Sequence, residues 1–327
     1  MTNKKCLLII PNKFYSFHKL IKQGLEAKGY TVTTANDEYP SNTIGKIIGK
    51  LQLPLVFSLT YNYFVKHFLY NQHYHLTIIV KGRGMSNKLL DQIKLQSDTV
   101  IGYNWDSFKY NEGPLKWYKN VTKYYTFDFD DACNYSLPVL ELFSSLPPSS
   151  EPKVVKYAVS GLFRNHSKRL EYLDKVLNSI KTSSAFIYIY EQNALTFTSN
   201  FIKNPVLYLK YWKHIHFKPL QYSKYLEALR LSEFTIDYAH PDQSGITMRC
   251  YESISMNTKI ITNNLSIAKS PYFKDFNSIV FPLQGNPAQL VSRYNDYKAK
   301  PLKASYRSIS DFINELISVE QIREMVA

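Results

Sequence analysis

The sequence predicts an α/β protein made of two doubly wound halves. Three observations carry that expectation. Short apolar runs alternate with helix-period segments along most of the 327 residues. A Ser- and Pro-rich stretch, "LFSSLPPSSEPK" (142–153), interrupts the alternation and reads as a linker. The alternation then restarts. Two similar α/β halves joined by one linker place a cleft between them, and open α/β sheets bind ligands beyond their strand carboxyl ends. The expected bounds are 1–146 and 154–304.

"KCLLIIP" (5–11) is an apolar run of the kind found in strands buried on both faces. "SFHKLIKQGLEAKGY" has a helical period and stops at Gly29, and "TVTTAN" is a second strand. "HLTIIVKG" (75–82) is a buried strand, "SNKLLDQIKLQ" a helix capped by Ser86, and "DTVIGYNWD" the next strand with its outgoing loop. "VTKYYTFD" is a further strand. After the linker come strand "KYAVSG", helix "SKRLEYLDKVLNSIK" and strand "AFIYIY", then helix "SKYLEALRLS" and strand "FTIDYA". A helix starting at Gln243 leads into strand "TKIITNN". "NSIVFP", "NPAQLVSRYNDYKA" and a terminal helix over 308–325 complete the chain.

The 40 Lys and Arg outnumber the 26 Asp and Glu, giving a net +14. That excess fits an acidic partner: nucleic acid, an anionic membrane surface or a phosphorylated small molecule. Cys6, Cys133 and Cys250 lie far apart in no metal spacing, as in a reducing, cytoplasmic compartment. The opening "MTNKKCLLIIPNKF" is basic then apolar, but its apolar run is too short for a signal peptide. No run of about 18 apolar residues occurs, so no membrane span is expected. The segment 47–70 comes nearest, interrupted by Lys50, Pro54 and Lys66. "NFIKNPVLYLKYWKHIHFKPL" (200–220), basic and aromatic, reads either as a membrane-facing surface or as a helix packed in the second half.

Five segments carry candidate chemistry. In "HPDQSGITMRCYESISMNTKIITNN" (240–264), Gln243, Ser244 and Gly245 stand where strand hands over to helix, and freed amides there can hold phosphate oxygens. Thr247 follows; Arg249 and Glu252 share a helix face, fitting either a diphosphate and a ribose or an intrahelical pair on a solvated face. In "VSGLFRNHSKRL", Arg164 and Lys168 face the same anion or merely begin a basic helix. In "YNWDSFKYN", Asp106 serves as a general base or as a cap. Asp128, Asp130 and Asp131 read as metal ligands or, more often in such loops, as caps. His18 is a second candidate base or a structural histidine.

Together, "HLTIIVKGRGMS", "YNWDSFKYN", "YYTFDFDDA", "SGLFRNHSKRL" and "QSGITMRCYE" resemble bacterial glycosyltransferases of polysaccharide and lipopolysaccharide synthesis related to the spore-maturation CgeB-like proteins. The resemblance covers most of residues 75–282 and implies the GT-B fold, two Rossmann-like domains facing each other across a cleft. It implies a nucleotide-sugar donor in the second domain and a glycan or lipid-linked acceptor in the first, with the 305–327 segment packed back on the first. In that reading Arg249 meets the diphosphate, Glu252 the ribose, and Asn263 lies at the rim. Many members carry two Glu about eight positions apart; Glu252 fits the second, but Ser244 stands at the first. No cofactor or metal is implied, because helix amides and cations can stabilise the leaving group. The charge also suits a peripheral contact with the anionic inner leaflet. Two rivals remain. One is a non-catalytic nucleotide- or sugar-binding module. The other is a nucleic-acid-binding protein, for which the chain lacks any motif.

Overall fold

A computed structural model describes residues 4–11, 17–42, 51, 53–150, 152–273, 277–302 and 306–318. They form two α/β units. The first holds the described residues up to Ser145, Asp242–Gly245, and those from Ser308 onward; the second holds Leu146–Pro241 and Ile246–Arg307.

The first unit's strands are β1 (Lys4–Ile9), β2 (Tyr30–Ala35), β3 (Tyr74–Val80), β4 (Ser97–Asn104) and β5 (Lys123–Thr126). They are parallel, in the order β2-β1-β3-β4-β5. The apolar runs read from sequence explain the centre of this sheet: Cys6, Leu7, Leu8 and Ile9 are fully buried, as are Leu76, Ile78 and Ile79 opposite them. Between the strands run α1 (Phe17–Glu26), α2 (Pro54–Phe64) and α3 (Asn87–Leu95), and α4 (Phe129–Tyr135) follows β5. Past α1 the chain turns at Gly29 with φ +88°, a region that disfavours side chains. Ser86 caps α3, its Oγ accepting from the Leu89 N–H at 3.2 Å. The near-membrane run of 47–70 folds, over its described part, into α2 and a π-turn at Val65–Leu69. Among the described residues no helix is long and apolar enough to cross a membrane.

The second unit's strands are β6 (Tyr157–Arg164), β7 (Ala185–Tyr190), β8 (Ile215–His216), β9 (Ser232–Asp237), β10 (Lys259–Thr262) and β11 (Ser278–Val280). All pair in parallel, in the order β11-β10-β9-β6-β7-β8. Its helices are α5 (Arg169–Ile180), α6 (Ala194–Lys203), α7 (Pro205–Lys210), α8 (Tyr222–Arg230), α9 (Met248–Ser255) and α10 (Pro287–Lys298). Strand order reverses between β6 and β9, and such a reversal leaves a crevice at the strand carboxyl ends. Gly161 in β6 lets α5 approach: a Cβ there would lie 2.5 Å from a Leu173 methyl.

The last described helix, α11 (Ile309–Leu316), belongs to the first unit. The helix expected over 308–325 is seen only in this part; its remainder from 319 lies outside the described residues. Its packing is specific. Phe312 meets Phe143 and Tyr103 with ring centroids 4.9 and 5.4 Å apart. The Tyr125 hydroxyl donates to the Glu315 carbonyl at 2.9 Å. A Cβ on Gly24 of α1 would lie 2.8 Å from Ile313.

Candidate functional site

In the second unit the chain leaving β6 carries Arg164, Asn165, His166 and Lys168, and the chain leaving β9 carries Asp237, Tyr238 and His240. These are the two strands at the reversal of order. Arg169, at the start of α5, is largely buried. One guanidinium nitrogen donates to the Arg164 carbonyl at 3.1 Å and the other reaches the Tyr238 carbonyl at 3.5 Å. Burial and the nearby Arg249 guanidinium pull its pKa down to about 10, which still leaves it charged at neutral pH. The His166 and His240 rings are 6.3 Å apart. Burial, then Arg169, Arg164, His240 and Arg249, push His166 down to about 3, so its imidazole is neutral. Three guanidinium groups therefore surround one neutral imidazole.

A counter-charge is supplied by Asp237, 1% exposed, the last residue of β9. It accepts from Thr247 Oγ1 at 2.8 Å and Thr262 Oγ1 at 3.2 Å, and pairs with Arg249 at 3.4 Å. One buried carboxylate thus fixes the start of α9 and aims its arginine. A second buried acid, Glu191 after β7, accepts from the Asn165 amide at 2.8 Å and from the Tyr208 hydroxyl, which steadies the β6 loop.

Several expected roles change once the side chains are placed. The helix begins at Met248 with Thr247 as its N-cap, not at Gln243. Ser244 and Gly245 belong to the first unit, where their amides donate to Asp128 Oδ2 at 2.6 and 3.2 Å; Ser244 Oγ donates to Oδ1 at 2.7 Å. Those amides hold a protein carboxylate, so as phosphate ligands they are already occupied. Only Gly fits at 245, since a Cβ would lie 2.3 Å from the Phe127 ring. Glu252 is not on a solvated face: it is 5% exposed and accepts from the Tyr222 hydroxyl. Asn263 pairs with the backbone of Ala239 in both directions, at 2.7 and 3.1 Å. Arg164 is exposed and bonds to Gln192, and Lys168 is exposed at the N-cap of α5.

At the carboxyl edge of the first sheet, Asp106 pairs with Lys81, follows a bond from its own amide to Asn104 Oδ1 at 3.3 Å, and accepts from Gln243 at 3.4 Å. Lys81 and Gly82 both have positive φ, 65° and 61°, a tight turn that brings the lysine back over the sheet edge. Tyr103, three residues before Asp106, is fully buried and donates to the Leu140 carbonyl. Asp37, 3% exposed after β2, accepts from the Arg83 amide at 3.3 Å, and burial pushes its carboxyl up. His18 lies at the start of α1, and its buried Nδ1 has no hydrogen-bond partner among the described residues. Phe17 beside it meets Trp105, the neighbour of Asp106, at 6.4 Å.

The acidic run is built as a cap. Asp128 Oδ1 accepts from the Asp130 and Asp131 amides at 3.1 and 3.0 Å, in addition to its bonds to Ser244 and Gly245. Asp131 accepts from the Phe108 amide at 2.6 Å. Burial, with Asp128 and Asp130 beside it, outweighs that bond and raises Asp131 to about 6. Among the described residues no three His, Cys, Asp or Glu side chains gather as a metal-binding set.

Two parallel doubly wound sheets in one chain define the GT-B class of fold, shared by glycosyltransferases and sugar-nucleotide epimerases. Sucrose-phosphate synthase of Thermosynechococcus elongatus matches 99% of this chain and 98% of its own at a TM-score of 0.60 and 11% identity. AviGT4, a glycosyltransferase involved in avilamycin A biosynthesis, matches over 99% of both chains at 0.58 and 9% identity. The UDP-GlcNAc 2-epimerase of Methanocaldococcus jannaschii, solved with UDP-GlcNAc and UDP, matches 98% and 99% at 0.55 and 9% identity. No protein-family model matches the chain, and no curated protein sequence does.

Proposed function

We propose that the chain is a glycosyltransferase of bacterial surface-polysaccharide synthesis that takes a nucleotide-sugar in its second unit and a glycan or lipid-linked acceptor in its first. The observation that carries the donor half is the gathering of Arg164, Arg169 and Arg249 at the β6/β9 reversal, with Asp237 the carboxylate paired to Arg249. Like charges held together are costly until an anion joins them, and a diphosphate supplies that anion. In the reaction an acceptor hydroxyl oxygen bonds to the anomeric carbon while the bond from that carbon to the diphosphate oxygen breaks. The guanidinium groups stabilise the charge on the departing diphosphate. His166, being neutral, offers a hydrogen bond without adding charge.

The hydroxyl proton goes to a base if the anomeric configuration inverts. Asp106 and His18 are the candidates. Asp106 is paired with Lys81, and His18 has a ring nitrogen without a partner among the described residues. Glu252 takes the ribose hydroxyls by exchanging them for the Tyr222 hydroxyl. Tyr222→Phe then leaves or improves nucleotide affinity, whereas Glu252→Ala lowers it about ten- to a hundredfold.

A second reading has support in the match to UDP-GlcNAc 2-epimerase: a sugar-nucleotide epimerase of the same fold. Calorimetry with UDP, GDP, CMP and TDP, followed by incubation of the matching sugar nucleotide with no acceptor, separates the two. An epimerase converts its substrate alone. A transferase releases free nucleotide slowly and makes no epimer. A chain that binds none of the four nucleotides is not a donor-binding enzyme of either kind.

A further inference from the structure

Six large apolar side chains of the second unit face solvent within one stretch: Leu195, Ile202, Val206, Leu209, Trp212 and Phe217, exposed by 83, 71, 74, 65, 56 and 52%. Single exposed leucines are ordinary, but a concentration of this kind marks an interaction surface. Leu195 and Ile202 lie two turns apart on one side of α6, and Val206 and Leu209 one turn apart on α7. The other sides of these helices pack inward, with Phe197, Phe201 and Leu207 against the core that holds Tyr208 and Tyr211. The Phe197 ring meets Trp212 at 5.8 Å and Phe217 at 5.5 Å, which fastens the segment after α7 to α6. The stretch read from sequence as either buried helix or membrane-facing surface thus has one side packed in the core and the other exposed.

The charge carried by this segment itself has one sign, and acids reach it from α5, at Asp174 and Glu171. Residues 192–226 contain no Asp or Glu and five lysines, Lys203, Lys210, Lys213, Lys218 and Lys224. Lys210 is held by Asp174 at 2.5 Å, while Lys203, Lys213 and Lys218 are exposed. We infer that the α6–α7 face docks on an anionic lipid bilayer, with the apolar side chains in the acyl boundary and the lysines on lipid phosphates. A leaflet presents uniform negative charge in every register, which is what the exposed Lys203, Lys213 and Lys218, on a segment without acids, match. Trp212, 56% exposed, offers an amphipathic ring of the kind that favours the headgroup layer. Lysine stems extend along the apolar surface with their charges outward. The inference stands on different residues from the proposed reaction, so either holds without the other.

Co-sedimentation of the full chain with phosphatidylcholine vesicles, with and without a one-third share of phosphatidylglycerol, tests it. The protein should pellet with the anionic vesicles, less so at high salt, and stay in solution with the neutral ones. Ile202→Ser/Leu209→Ser/Trp212→Ser should lower partitioning about tenfold or more, and Lys203→Glu/Lys213→Glu/Lys218→Glu likewise. Since Trp212 touches Phe197, Leu195→Ser/Ile202→Ser serves as a variant without ring contacts, and all should melt as the parent does. Three results overturn the inference: no vesicle binding at low salt, equal partitioning of the serine variants, or a dimer in ultracentrifugation that those variants dissociate. The last assigns the face to a second copy of the chain.

Discussion

The carboxyl edges of the two sheets invite comparison, because the same architecture has been given opposite electrostatics. In the first unit each acid at the edge has a partner of the protein's own: Asp106 has Lys81, and Asp128 has four backbone amides and a serine hydroxyl. In the second unit Arg164, Arg169 and Arg249 crowd a neutral His166, and Asp237 pairs with Arg249. A site whose charges are satisfied internally is stable without a ligand. A site of gathered like charge gives up stability that an anion restores. On the proposed function, the contrast assigns the first edge to a neutral, hydroxyl-bearing molecule and the second to a phosphate.

Four experiments break or sharpen that contrast. The largest effect is expected on turnover. Removing the base, by His18→Ala or by Asp106→Asn, should cost about a hundredfold in rate while nucleotide affinity stays as it was. Whichever variant keeps full turnover is removed from the mechanism; if both keep it, the first edge contributes no base. Next, Arg169→Ala and Arg249→Ala should each weaken nucleotide binding about ten- to a hundredfold, the value of one charged hydrogen bond. Arg169→Ala also relieves repulsion, so its melting point without nucleotide should hold or rise, whereas Arg249→Ala leaves the buried Asp237 without its cation and should melt lower. A lower melting point together with unchanged affinity would make the arginines purely structural.

Third, Asp128→Ala strands the amides of Asp131, Ser244 and Gly245, while that of Asp130 keeps Ser244 Oγ at 2.9 Å, with a loss of about 1.5–3 kcal/mol of stability. Asp128→Asn keeps an acceptor and should lose less. Equal losses would mean that packing, not the bonds, holds the segment. The smallest effect is on pH dependence, and its sign differs between the edges. His166 takes a proton at about 3 when folded and at about 6.5 when free. Between those values the unfolded chain binds the extra proton, so this group's contribution falls as pH drops from 6.5 toward 3. Asp131 titrates at about 6 when folded and near 3.8 when free, so its contribution falls as pH rises from about 4 to about 6. His166→Gln should flatten the acid limb of the melting profile, and Asp131→Asn should stabilise at pH 7 more than at pH 4.5. A profile moved the same way by both would contradict the opposite charge environments.

The placement of these groups shows where sequence reading stops. Arg249 and Arg164 were legible because basic residues after strand ends near a helix start carry a chemical signature of their own. Asp237, Glu191, His166 and Lys81 were passed over, yet Asp237 ends a strand, Glu191 and Lys81 directly follow one and His166 lies two residues past one, a positional signal that could have found them. Ser244 and Gly245 were read as phosphate ligands because the sequence shows free amides at a turn and cannot show the carboxylate that already fills them. Glu252 was read either as a ribose ligand or as half of a solvated pair, because its spacing from Arg249 allows both; the sequence could not show that α8 brings Tyr222 over it.

What the sequence by itself determined is the alternation of strands and helices and the doubly wound class, since apolar runs, periodicity and caps act over a few residues and do so in any context. Strand order, and with it the reversal between β6 and β9, was decided by the tertiary structure. So were the choice of which amide meets Asp128 across 116 positions of sequence and which side of α6 and α7 stays in solvent. Those outcomes depend on pairing and burial between segments remote in sequence, where the free energy of a contact is a property of the partner as much as of the residue itself.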